Sequence, residues 1–175
     1  KQNMSISKIF EKDIDVKLLS EDNFTVNISE NWSIGQTANG GYSMALIAKA
    51  CSKSLSHKDP LVLSANYIDR VEFGFADIQI TKIASTKSTS TAHVSLKQNG
   101  ILKIFCTVTF TDFSKMKGLN DNLRLEPKFD PYENCIQVPY KEGFNPKLDK
   151  NLEKKYCLDS LWWKNPSEEN KATLK

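Results

Sequence analysis

The residues with the clearest chemical promise are Asn39, Gly40, Gly41 and Tyr42, which open an apolar stretch running past Cys51. Glycine in a helical first turn is worse than alanine by roughly 1 kcal/mol. A pair of glycines there points to something approaching the backbone closely. The first N–H groups of a helix have no intrahelical acceptors and lie at the positive end of its dipole. Such a turn can hold an anion or polarise a carbonyl oxygen. The competing reading is a tight strand-to-helix turn that needs glycine for shape alone. Tyr42 either borders a ligand channel or joins the core.

Other reactive side chains are weaker candidates. Ser88, Thr89, Ser90 and Thr91 offer four hydroxyls in a row, and His93 shares a strand face with Thr91. A serine nucleophile needs a base, and the base needs an orienting group. No acid is placed to orient His93, so these residues read as ordinary strand composition. His57, beside Lys58 and Asp59, reads as a surface turn residue. Asp69 and Arg70 follow an apolar run and read either as the polar mouth of a pocket or, preferably, as a solvated strand end. Cys51 sits among apolar neighbours, which raise a thiol's pKa and leave it inert. The four cysteines (Cys51, Cys106, Cys135 and Cys157) show no CxxC spacing, and only His57 and His93 could join them, so no metal site is expected.

Composition narrows the partners. The 24 basic and 21 acidic residues leave a net charge of +3, and only Arg70 and Arg124 are arginines. That is a poor surface for reading phosphodiesters, so no nucleic-acid partner is expected. No apolar run approaches the roughly 18 residues of a membrane span, and no secretory signal is evident. Together with cysteines that read as buried thiols, this places the protein in the cytoplasm.

The elements that must position these residues follow from periodicity. Residues 24–28 alternate and read as a strand, followed by a loop over 36–39. A helix then runs to about residue 55, apolar nearly all round, with Lys49 and Lys53 its only charges. Such a helix is wrapped by other structure. After the breaker at 57–60, strands are predicted over 61–70, 75–83, 88–98 and 101–113. Asn99-Gly100 is a hairpin signal between the last two. Beyond Phe113, four prolines and weak periodicity mark a connection too long for an ordinary loop. Residues 151–163 regain apolar content, including Trp162 and Trp163, either a docking anchor or a cover for the neighbouring core.

One strand, an enclosed helix and four more strands is the order of an α+β hotdog fold, an antiparallel sheet wrapped around one long helix. Trp32-Ser33-Ile34-Gly35 followed by Asn39-Gly40-Gly41-Tyr42 resembles the thioesterase-like superfamily, the double-hotdog proteins of the acyl-CoA thioesterase II type. Asp59-Pro60-Leu61 with Ser64-Ala65-Asn66-Tyr67-Ile68, residues 86–94, and Gln98-Asn99-Gly100 with Thr107-Val108-Thr109-Phe110 resemble later segments of the same family. The resemblance covers about residues 20–113.

It implies a hotdog domain over 1–113, an inter-repeat linker over 114–165, and over 166–175 the start of a second repeat that stops early, so that the chain is half of a double hotdog. It implies an acyl-CoA substrate, hydrolysis to free acid and CoA without a cofactor, and pairing either as a homo-oligomer or with a second hotdog repeat. Asn39, Gly40, Gly41 and Tyr42 become the substrate-binding candidates. The family's catalytic Asp, Thr and Gln belong to the second repeat and match no position here, so the catalytic residues are not identified. The present helix has no Asp or Glu. An alternative is therefore a non-catalytic acyl-CoA-binding or assembly module. A dehydratase or hydratase would need a helix-borne acid or histidine, and a small α+β ligand-binding domain is the runner-up fold.

Overall fold

A computed structural model describes residues 6–118 and 130–157. Its elements begin with helix α1 (Ile6–Asp13), strands β1 (Lys17–Ser20) and β2 (Asn23–Ile28), and a small hairpin of β3 (Ser33–Ile34) and β4 (Thr37–Ala38). Helix α2 (Gly40–Ser54) follows, then strands β5 (Asp59–Tyr67), β6 (Gly74–Ser85), β7 (Ser90–Gln98) and β8 (Ile101–Thr111). Six strands form one antiparallel sheet in the order β1-β2-β6-β7-β8-β5. This sheet with one long central helix is a hotdog architecture.

Period-two alternation makes the inner face. Phe24, Val26 and Ile28 of β2, Ala76, Ile78 and Ile80 of β6, Ala92, Val94 and Leu96 of β7, and Ile104, Cys106, Val108 and Phe110 of β8 are all buried. Against them α2 lays Tyr42, Ser43, Leu46, Ile47, Ala50 and Cys51. Those six recur at helical spacing and occupy one side of the rod. The opposite flank, including Ala45, Ala48, Lys49 and Ser52, is only half-buried. The helix is therefore enclosed on its sheet side, while the flank with Ala45, Ala48, Lys49 and Ser52 is covered only in part.

Asn99 (φ 50°) and Gly100 (φ 78°) both adopt the left-handed backbone that a tight primed turn requires between β7 and β8. Ile83, off the inner-face parity of Ile78 and Ile80, is 54% exposed. Alternation alone places it outward, and the register shifts around it between Lys82 and Ala84. Helix α1 and strand β1 were not legible as elements. Helix α1 seats Ile9 and Phe10 against the core, and Ile14 follows them there. Strand β1 is exposed along its length.

The predicted linker is partly ordered onto the hotdog. Residues 136–137 (β9) pair with 155–156 (β10). Lys147 reaches Glu30 at 2.6 Å, Asn151 Nδ2 donates to the Asn31 carbonyl at 2.8 Å, and Leu148 packs against the core. Trp162, Trp163 and the segment 166–175 lie outside the described residues. No helix among the described residues is long and apolar enough to cross a membrane.

Leu46 is fully buried at the centre of the α2–sheet contact. Leu46→Ala is expected to lower unfolding free energy by about 2–5 kcal/mol, read as a reduced urea midpoint with an unchanged slope.

Candidate functional site

The start of α2 is fixed by the loop before it. The Asn39 N–H donates to the Trp32 carbonyl (2.8 Å) and the Ala38 N–H to the Val71 carbonyl (3.0 Å). Asn39 is the N-cap: its Oδ1 accepts from the N–H groups of Gly41 (2.9 Å) and Tyr42 (3.2 Å). A cap of this kind contributes about 1 kcal/mol. It also takes two of the amides that sequence reasoning left free for a ligand. Gly40 is different. Its N–H has no acceptor among the described residues, and Gly40 itself lines a cavity of about 420 Å³.

Gly40 is glycine because of Tyr67. A Cβ at position 40 would stand 2.9 Å from the Tyr67 hydroxyl oxygen and 3.0 Å from Cζ. The Tyr67 hydroxyl donates to the Gly40 carbonyl at 2.9 Å, and burial raises the phenol's pKa. The close approach inferred from the paired glycines is thus made by a side chain of β5. At Gly41, an added Cβ would stand 3.1 Å from the cap oxygen of Asn39.

The Tyr42 side chain does not face this cavity. It is 4% exposed, stacks on Trp32 with ring centroids 6.1 Å apart, and donates its hydroxyl to the Asp13 carbonyl (2.7 Å) while accepting from the Ser29 N–H (3.1 Å). Burial raises its pKa. Of its two readings, core membership is the one the side chain adopts. Asp13 is the hub of this corner: its Oδ2 accepts from Ser29 Oγ (3.1 Å), Asn31 Nδ2 (2.8 Å) and Trp32 Nε1 (3.0 Å). Sequence reasoning missed it because its partners lie 16–19 residues away.

Asp69 and Arg70 line the cavity beside Gly40, Ser43 and Tyr67. Both are solvent-exposed, so the mouth and the wetted strand end are one place. The Lys103 ammonium, 2.6 Å from Asp69 Oδ2, donates to that carboxylate and, with the Arg70 N–H, holds its pKa below the usual range. An ionised, engaged carboxylate is a weak base, so Asp69 contributes negative charge more than proton uptake.

A second polar cluster lies at the other end of α2. His57 is 7% exposed, which corrects its reading as a surface turn residue. Its Nδ1 lies 2.7 Å from Ser90 Oγ, and its Nε2 lies 3.3 Å from the Lys87 carbonyl. A carbonyl only accepts, so neutral His57 carries its proton on Nε2, and Ser90 donates to Nδ1. A serine–histidine pair does form, through His57 and Ser90 rather than through His93. His93 lies exposed on the outer face against Phe105. Ser90 is 3% exposed, so its hydroxyl serves to tie the α2–β5 connection to β7.

Cys51 and Cys106 are fully buried. Burial pushes the Cys51 thiol up to about 12 and the Cys106 thiol up to about 11. No group of His, Cys, Asp and Glu among the described residues is placed to hold a metal ion.

An antiparallel sheet around a helix whose capped, glycine-bearing start opens on a cavity defines a hotdog protein. Residues 28–111 match the family model described as the acyl-CoA thioesterase N-terminal domain. That match covers just under half of the chain and makes this stretch similar to the thioesterase-like superfamily. A curated relative, the thioesterase-like protein TwmA of Talaromyces wortmannii, is 30% identical over 99 residues, covering 55% of this chain and 28% of that protein. Among solved structures, a protein provisionally named thioesterase II from Thermobifida fusca YX superposes with a TM-score of 0.81 at 18% identity, covering 91% of this chain and 59% of that one. A hot dog fold protein of unknown function from Alicyclobacillus acidocaldarius gives 0.70 at 15% identity, covering 81% and 52%. The chain therefore spans about a quarter of the curated relative and little more than half of the structural ones.

Two outcomes follow from this geometry. Gly40→Ala and Tyr67→Ala are expected to couple by about 1 kcal/mol in a double-mutant cycle of unfolding free energies. Alanine at 40 displaces the tyrosine ring, but meets nothing once that ring is gone. In the native protein at pH 8, where thiols titrating near 11 and 12 are protonated, Cys51 and Cys106 are expected to resist iodoacetamide, with peptide mass spectrometry as the readout. Alkylation there before unfolding would refute their burial.

Proposed function

We propose that this chain is the acyl-binding hotdog of an acyl-CoA thioesterase, hydrolysing an acyl-CoA to free acid and CoA when a second hotdog stands beside it. The observation that carries the reading is the unengaged amide of Gly40 at a helix N-terminus, beside a cavity of about 420 Å³ that Gly40 lines, within the stretch that matches the acyl-CoA thioesterase N-terminal domain. A thioester carbonyl oxygen placed there would be polarised by the amide and the helix dipole. Water then attacks the carbonyl carbon, the carbon–sulfur bond breaks, and the departing thiolate takes up a proton. No cofactor enters this scheme.

The proton acceptor for that water is not on α2, which has no Asp or Glu between Gly40 and Ser54. Asp69 is held ionised by Lys103. In this proposal the base comes from a second hotdog, either a second copy or a second repeat. The sheet supports such pairing: β5 bonds to β8 on one side only and ends the sheet. Leu61, Val62 and Tyr67 on it and Ile68 just beyond are exposed. An apolar edge strand invites another strand. Buried thiols at Cys51 and Cys106 suit a cytoplasmic setting.

The missing carboxylate specifically favours the second reading, a unit that binds acyl-CoA without cleaving it. Thiol release from a panel of acyl-CoAs, followed with a disulfide reagent, separates the two. Release is expected for the enzyme, whereas saturable CoA binding with no release would leave the binding module. Analytical ultracentrifugation is expected to show two copies in association, with L61E/V62E running as a monomer. A wild-type monomer would remove pairing between copies.

A further inference from the structure

The end of β5 remote from Gly40 carries a cavity of its own, of about 330 Å³. Its wall holds His57, Lys87, Ser88, Thr89, Lys115 and Lys117, over an apolar floor that includes Leu61 and Met116. The one carboxylate on the wall, Asp112, is bound to Lys115 at 2.6 Å and accepts from the Lys58 N–H at 3.2 Å. That pairing neutralises Lys115. Lys87 and Lys117 make no ion pair with any described residue. Among the described residues the cavity is thus left with two positive charges that have no carboxylate partner.

The lysine-bearing loop is anchored. Buried His57 bonds the Lys87 carbonyl from beneath. Thr86 Oγ1 accepts from the N–H groups of Ser88 (3.2 Å) and Thr89 (3.0 Å), and Thr111 Oγ1 donates to the Ser88 carbonyl (2.9 Å). The Ser88 hydroxyl has no protein partner among the described residues. Ammonium groups without a described carboxylate partner, a spare hydroxyl donor and an apolar floor together suit a phosphate ester attached to a flat base.

We infer that this cavity binds the phosphorylated adenosine end of CoA; the inference rests on the acyl-CoA reading above. The nine residues of β5 place the cavity roughly 30 Å from the glycine turn of the same chain. Antiparallel addition of a second hotdog along the free edge of β5 reverses the neighbour's ends. The lysine cavity of one unit then stands beside the glycine turn of the next. One CoA molecule bridges the two units, its phosphates on the lysines of one and its thioester at the turn of the other.

The test is calorimetric titration of the whole protein with adenosine 3′,5′-bisphosphate, which has no thioester. Binding is expected to weaken about tenfold in K87Q/K117Q, to persist in K87R/K117R, and to fall with added salt. Inorganic phosphate and ATP, run in parallel, are expected to bind more weakly than the bisphosphate; equal binding by all three would show an unselective anion site and overturn the nucleotide assignment. No bisphosphate binding by the wild type, or equal binding by K87Q/K117Q, would overturn the site itself. In steady-state assays the ratio of kcat/KM for acyl-CoA to that for the matching S-acyl-pantetheine is expected to fall about tenfold in K87Q/K117Q. Failure of the thioesterase reading shows separately, as no thiol release from either compound, and leaves the titration result standing.

Discussion

The molecule depends on one contact: six side chains of α2 pressed into the inner face of the sheet. Phe24, Ile78, Leu96, Ile104, Val108 and Phe110 come from four strands, and without the helix they would form a wide apolar surface open to water. The helix in turn has no charged face along which it could stand alone in solvent. Each therefore requires the other, and the register of the sheet is pinned because a one-residue slip in any strand would turn its apolar set outward.

That contact sets where the two polar ends of the helix must fall. At the N-terminus, Asn39 caps α2 while Asp13 gathers Ser29, Asn31 and Trp32, so the entering chain is held on both sides. At the C-terminus, the Leu55 N–H closes on the Cys51 carbonyl, and His57 then clips the exit to Ser90 and Lys87. Strand β5 leaves from the second end and returns its Tyr67 to the first, over Gly40. The long axis of the helix thus separates a glycine turn from a lysine-rich cavity, with the open edge of the sheet running between them.

Much of this was legible in the sequence because it is local. Alternation gave four of the sheet's strands over 61–113 to within a few residues, and Asn99-Gly100 marked its hairpin by backbone preference alone. The paired glycines correctly signalled a close approach. What pattern could not supply was the identity of the approaching group, since Tyr67 is 27 residues away. The same limit hid Asp13, whose partners belong to a different element, and His57, whose burial depends on β7 lying over it. Helix α1 escaped notice because its eight residues carry several charges and its apolar side is narrow. The partial cover of the far flank of α2 was not legible for a related reason: alanine and serine fit a half-open surface as well as a closed one.

Under the proposed thioesterase function, the placement of charge argues for chemistry shared between units rather than completed within one. A thioester carbonyl needs a positive partner at its oxygen and a base for the attacking water, within a few ångströms of each other. This chain offers the first at Gly40. At the same cavity its carboxylate, Asp69, is held by the buried Lys103 ammonium, a bond whose removal would strand a cation with 8% exposure. Asp69 therefore cannot be spared as a base without destabilising its partner. In the proposed thioesterase, the acyl-binding surface and the group that activates water then fall on different hotdogs, and the sheet edge at β5 is the route by which the two would be joined. An edge strand with Leu61, Val62 and Tyr67 in solvent is a liability for an isolated domain, but it is a ready seam for a pair.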